Sequence, residues 1–75
     1  MSKRAPRVTG DEAVKAFCNA GYRIDRTHGS HKILRHPNKV GLSIPVHKGR
    51  VLGVGLLTSK IKDAGMTIEE FEGYL

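Results

Sequence analysis

His28-Gly29-Ser30-His31 sets two imidazoles on either side of a Gly-Ser pair, and no other group in the chain is as well suited to chemistry. Imidazole is the side chain whose ordinary pKa lets it both take and give a proton near neutral pH. The run lies in a cationic segment. From Tyr22 to Arg50 there are seven Lys/Arg, one acid (Asp25) and all four histidines. Cations attract phosphate, so the combination points to work on a nucleic acid backbone.

A ribonuclease that uses no metal needs a base for the 2′-hydroxyl proton and an acid for the leaving 5′-oxygen. It also needs cations against the charge of the phosphorane. His31, with Arg26, Lys32, Lys48 and Arg50 nearby in sequence, supplies part of this set. The competing reading is a surface histidine at a strand end. His28 is either a second proton-transfer group or a polar residue flanking a turn. His47-Lys48-Gly49-Arg50 follows a strand and leads towards a helix, a setting that offers backbone N–H groups and cations to phosphate. The same loop also reads as ordinary solvated chain. Ser30 and His47 are further accessory candidates, and His36 before Pro37 reads as a solvated turn residue.

Other chemistries are disfavoured. A metal on His28 and His31 lacks a third ligand, because Asp25 is expected on the other face, so neither metal nor cofactor is expected. The glycines at 49, 53 and 55 match neither a Walker nor a dinucleotide spacing. No Ser-His-Asp or Cys-His arrangement can be argued.

The chain has 75 residues. A domain of this size buries about 60% of its unfolded surface, so a surface site facing a large partner is expected rather than a deep pocket. Thirteen bases against seven acids give +6. Residues 1–62 hold all 13 bases and three acids, a net +10, whereas residues 63–75 hold four acids and no base. The basic body suits a polyanion, and the acidic end reads as a short helix turned away from it. The lone Cys18 reads as core filler. No apolar stretch approaches the roughly 20 residues that span a bilayer, and no secretory h-region follows Met1. A cytoplasmic protein without membrane contact is expected.

The elements that must hold these residues follow from local signals. Residues 1–8 read as a frayed basic arm, and 9–75 as one domain. Thr9 and Glu12 have capping-box spacing, Val14, Phe17 and Cys18 form an apolar stripe, and Gly21 is a C′ glycine. Strands are expected over Tyr22–His28 and His31–His36. A third takes in Val40, Leu42, Ile44 and Val46, which alternate with Gly41, Ser43, Pro45 and His47. Gly29-Ser30 fits a type II′ turn. A helix beginning near Val54 or Gly55 buries Leu57, Ile61 and Ala64 and closes at Gly65. Thr67 and Glu70 form a second capping box, opening a short helix docked by Phe71 and Tyr74. The order is α-β-β-β-α plus a terminal helical turn, an α+β domain with the helices on one face of an antiparallel sheet.

Two-residue hairpin loops would pair His28 with His31, Arg26 with Ile33, Ile24 with Arg35, Arg35 with Val40, Ile33 with Leu42 and His31 with Ile44. That register puts His28, His31, Ile24, Ile33, Val40, Leu42 and Ile44 on one apolar face, with His31 at the rim of the core. One extra residue breaks it.

Gly21-Tyr22, Gly29-Ser30-His31, His36-Pro37 and Ile44-Pro45-Val46-His47-Lys48-Gly49 follow one another at a particular spacing. Gly55-Leu56-Leu57 with Ile61, and then Asp63-Ala64-Gly65, complete the series. In combination this pattern resembles the HicA (YcfA-like) toxins over residues 9–75. The resemblance implies a double-stranded-RNA-binding-domain-like fold and an mRNA interferase, an endoribonuclease often active in association with translation. It implies that the histidine of the Gly-Ser-His triplet, here His31, is catalytic. It also implies a HicB-type antitoxin as partner, in a toxin–antitoxin hetero-oligomer. The family more often carries Gln or Lys at the place of His28, so no role for His28 follows from it. From a different class comes a non-catalytic RNA-binding module on the same basic surface. A module devoted to protein association is the weaker third reading.

Overall fold

The computed structural model describes residues 4–75. Their order is α1 (Gly10–Asn19), β1 (Arg23–His28), β2 (His31–His36), β3 (Lys39–Pro45), α2 (Val54–Asp63) and α3 (Ile68–Glu72). Both capping boxes are closed. The Thr9 hydroxyl accepts from the Glu12 amide at 3.2 Å while the Glu12 carboxylate accepts from the Thr9 amide at 2.8 Å. Thr67 and Glu70 repeat the exchange at 3.1 and 2.8 Å. Each box satisfies two amides that a helix start leaves without partners. The Thr67 amide, then its hydroxyl, hold the Glu70 carboxyl below the usual range, and the nearby Lys39 charge adds to this. Gly21 (φ 112°) and Gly65 (φ 71°) end α1 and α2 in the left-handed conformation that glycine adopts without a Cβ clash.

The sheet is antiparallel in the order β1-β2-β3. Leu34, Leu42 and Ile44 are buried on one face, where α1 and α2 both pack against β3. α3 packs on the two longer helices. This is the expected α+β, double-stranded-RNA-binding-domain-like arrangement. Phe17 joins the layers: fully buried, it meets Tyr22 edge-on at 5.9 Å and Phe71 at 5.0 Å. The Tyr22 hydroxyl donates to the Val40 carbonyl at 3.0 Å. Burial, and then the Asp63 charge, raise its pKa. Phe71 docks α3 as expected, but Tyr74 is 40% exposed and contributes mainly its carbonyl, which accepts from Asn19 at 2.9 Å.

Two bulges overturn the expected register. His28↔His31, Arg26↔Ile33 and His36↔Lys39 pair as two-residue loops require. Between them the ladder slips by one, so Ile24 meets Leu34, with Asp25 unpaired. On the other side Leu34 meets Leu42, Ile33 meets Ser43, Lys32 meets Ile44 and His31 meets Pro45. Val40 and Gly41 thus oppose the single Arg35, and a Cβ at Gly41 would come within 3.2 Å of the Leu34 carbonyl oxygen. A one-residue slip exchanges the faces. Leu42 and Ile44 keep the core with Leu34, while His28, His31 and Ile33 turn to the open face. His31 is therefore not at the core rim.

The N-terminal arm also differs from expectation. Residues 1–3 of the frayed segment lie outside the described residues, but Ala5 and Val8 are buried. The Leu52 amide donates to the Val8 carbonyl at 2.8 Å, and Thr9 and Val51 form an antiparallel bridge. The two apolar side chains outweigh the basic composition that suggested fraying.

α1 starts hard against the end of β3. A Cβ on Gly10 would overlap the Pro45 carbonyl oxygen and come within 2.9 Å of Val46 Cα. Backbone atoms cannot turn aside as a rotamer can. Gly10→Ala therefore costs about 1–3 kcal/mol of overpacking, more than the roughly 1 kcal/mol gained by replacing a helical glycine. Urea unfolding should show a lower midpoint; an unchanged or higher one would mean that α1 has room to move.

Candidate active site

The β1–β2 hairpin carries His28 and His31 at its tip. Gly29 has φ 62° and no non-glycine residue described has positive φ, which fits the expected type II′ turn. His28 and His31 are directly opposed, so both side chains stand on one face with their Cβ atoms about 4.5–5.5 Å apart. Both are exposed to solvent. His31 opens the central strand, with His28 on one flank and Pro45 on the other.

The cationic loop is tied to that tip. The Val46 amide donates to the Ser30 carbonyl at 2.6 Å, so residue 47 leaves the sheet beside the hairpin. A turn follows, in which the Arg50 amide donates to the His47 carbonyl at 2.9 Å and Gly49 takes φ 75°. His47, Lys48 and Arg50 are exposed. The chain then re-enters the fold through Leu52, which is 7% exposed.

The expected cations divide by face. Arg26 opposes Ile33 and shares the open face with His28 and His31. Lys32 alternates to the helix side, where its ammonium lies 3.6 Å from the Asp11 carboxylate. Among the described residues no carboxylate lies within ion-pair distance of Arg26, Lys48 or Arg50. Ser30 contributes its backbone carbonyl as the clasp to Val46. His36 lies on the helix side, where its ring meets Tyr22 at 5.0 Å and its Nδ1 accepts from the Asn38 amide at 3.0 Å.

Arg23 and Arg35 were not among the sequence candidates, yet they oppose each other on the same open face. The odd positions of β2 (31, 33, 35) carried the signal for Arg35. Asp25 sits 3.3 Å from the Arg35 guanidinium. That pair lines, with His36, a cleft of about 780 Å³ near the far end of the sheet, away from His28 and His31. The acidic end of the chain lies that way too, since Glu70 feels Lys39 beside the β2–β3 turn. Six residues of strand, at about 3.3 Å each, separate this turn from the hairpin tip.

Among the described residues no three of His, Cys, Asp and Glu gather as metal ligands, and no helix is long and apolar enough to cross a membrane. The arrangement offers two opposed, solvent-reachable imidazoles with unpaired cations around them. Such a group can move protons at a phosphodiester while holding its charge.

No curated protein matches the chain. Residues 10–66, well over half of it, match the family described as HicA toxin of bacterial toxin-antitoxin. The match runs from the first residue of α1 past the end of α2 and so takes in the hairpin, the cationic loop and the helices that hold them. The chain belongs to the HicA toxins of bacterial toxin–antitoxin systems.

Proposed function

We propose that this toxin is a metal-independent endoribonuclease that cleaves mRNA in the cytoplasm, with His31 as its proton-transfer residue. The observation that carries the reading is the exposed His31 ring on the open sheet face, opposite His28 and near cations without carboxylate partners.

The step follows from that placement. A neutral imidazole at His31 takes the proton of a ribose 2′-hydroxyl, and the 2′-oxygen attacks the neighbouring phosphorus. As the P–O5′ bond breaks, the leaving oxygen receives a proton from an imidazolium. His28 faces His31 and can be that acid; otherwise His31 returns the proton it took. Arg26, Lys48 and Arg50 offset the charge that builds on the phosphorane. Lys32, tethered to Asp11, supports the strand from the other side.

A HicB-type antitoxin silences such a site by covering the hairpin tip or by setting acidic groups against residues 47–50. The chain's +6 charge suits an acidic partner face as well as RNA.

The test is incubation of the purified protein with end-labelled mRNA in excess EDTA. Discrete cleavage is expected. RNA that is bound and stays whole, with or without added divalent ions, would leave an RNA-binding module and overturn the nuclease.

A further inference from the structure

Next to His31 lies a groove that the proton-transfer chemistry does not use. Pro45, His47, Arg50, Val51, Gly53 and Leu56 line it, and it encloses about 290 Å³. Pro45 is the cross-strand partner of His31, so the groove begins one strand spacing, about 4.8 Å, from the backbone that carries the imidazole. Val51 is 50% exposed and Leu56 39% exposed. Their apolar surface faces solvent beside the most cationic loop of the fold.

The groove exists before any ligand arrives. The Thr9–Val51 bridge and the Leu52–Val8 hydrogen bond hold one wall, and the first turn of α2 holds the other. Its charged lining is a guanidinium, with the Lys48 ammonium on the same loop and no carboxylate among the lining residues. Gly53 caps α2 without a side chain, and the first turn of that helix contains no acid. Apolar walls, an imidazole and a cation suit a flat, electron-rich ring attached to an anion. A nucleotide is such a group: its base has apolar faces, and its phosphate is the charge that Arg50 would meet.

The geometry points to this groove as a base-binding subsite, which takes one unpaired base of an RNA strand while the neighbouring phosphate lies at His31. The inference rests on the nuclease reading and adds the substrate class. A base stacked inside a duplex cannot enter, so the strand is single at this point. The subsite fixes the register of the strand against the imidazole, and the bases it prefers bias where the chain cuts.

The experiment titrates the ¹⁵N-labelled full chain with 2′-O-methyl hexaadenylate, which has no attacking hydroxyl. In parallel it is titrated with a linear polyphosphate of similar charge, which has no bases. The expected result is amide shifts at Val51, Gly53 and Leu56 with the oligonucleotide and not with polyphosphate. The double variant Val51→Ser, Leu56→Ser changes two exposed side chains. It should bind the oligonucleotide roughly tenfold more weakly and polyphosphate as before. Three outcomes would overturn the subsite: equal shifts from both probes, shifts confined to the open face around Arg23, Arg26 and Arg35, or equal loss of both probes in the variant. Absence of oligonucleotide binding, in a protein that cuts mRNA in EDTA, overturns the subsite and leaves the nuclease standing. Absence of cutting removes the nuclease itself.

Discussion

His31→Ala should leave a folded protein that still binds RNA and no longer cuts it. The ring is exposed and makes no core contact, so its removal should change stability by no more than about 0.5 kcal/mol. A positioned acid–base group contributes roughly 10²–10⁴-fold to a rate, and the variant should lose at least the lower end of that range. RNA affinity should persist, since Arg26, Lys48 and Arg50 are untouched. In cells, growth arrest on expression should disappear. His28→Ala, measured beside it, separates two assignments. If His28 is the acid, its loss should flatten one limb of the pH–rate profile; if His31 performs both steps, the profile should keep both. Cleavage by purified His31→Ala within tenfold of wild type would refute the catalytic assignment.

Phe17→Ala should collapse the fold. The ring is fully buried where α1, the Tyr22 ring ahead of β1 and Phe71 of α3 meet. Truncation of a buried phenylalanine costs about 3–5 kcal/mol, through lost transfer energy and the cavity left behind. A chain of 75 residues, at about 0.05–0.15 kcal/mol per residue, has only some 4–11 kcal/mol in total. Each lost kcal/mol lowers the midpoint of a domain this size by about 4–8 °C, so the variant should melt tens of degrees lower by circular dichroism. Phe17→Leu fills most of the cavity and should fall by far less. A drop of under about 5 °C for the alanine variant would mean that the aromatic cluster is not the centre of the core.

The elements were legible because their signals are local. A threonine three residues before a glutamate closes a box on itself, and Gly21, Gly29 and Gly65 take the positive φ that their turns need. What the sequence concealed depends on partners far along the chain. The bulge opposite Arg35 goes with the close approach of Gly41 to the Leu34 carbonyl across the sheet, and no alternation count includes the unpaired Asp25. The site inherits this. His31 and His28 share a face as expected, yet it is the open face and not the rim of the core. Lys32 looked like a free cation until the fold brought Asp11 to it. The Val51–Leu56 groove stayed invisible because one of its walls is a loop that the distant N-terminal segment helps to hold in place.

That last attachment has a consequence for biosynthesis. Val8 and Thr9 are made early, and Val51 and Leu52, which they clasp, emerge much later. A nascent chain already carries the Gly-Ser-His hairpin before it has the loop and groove beside it. The order of synthesis thus delays assembly of this part of the toxin until most of its polypeptide has been made.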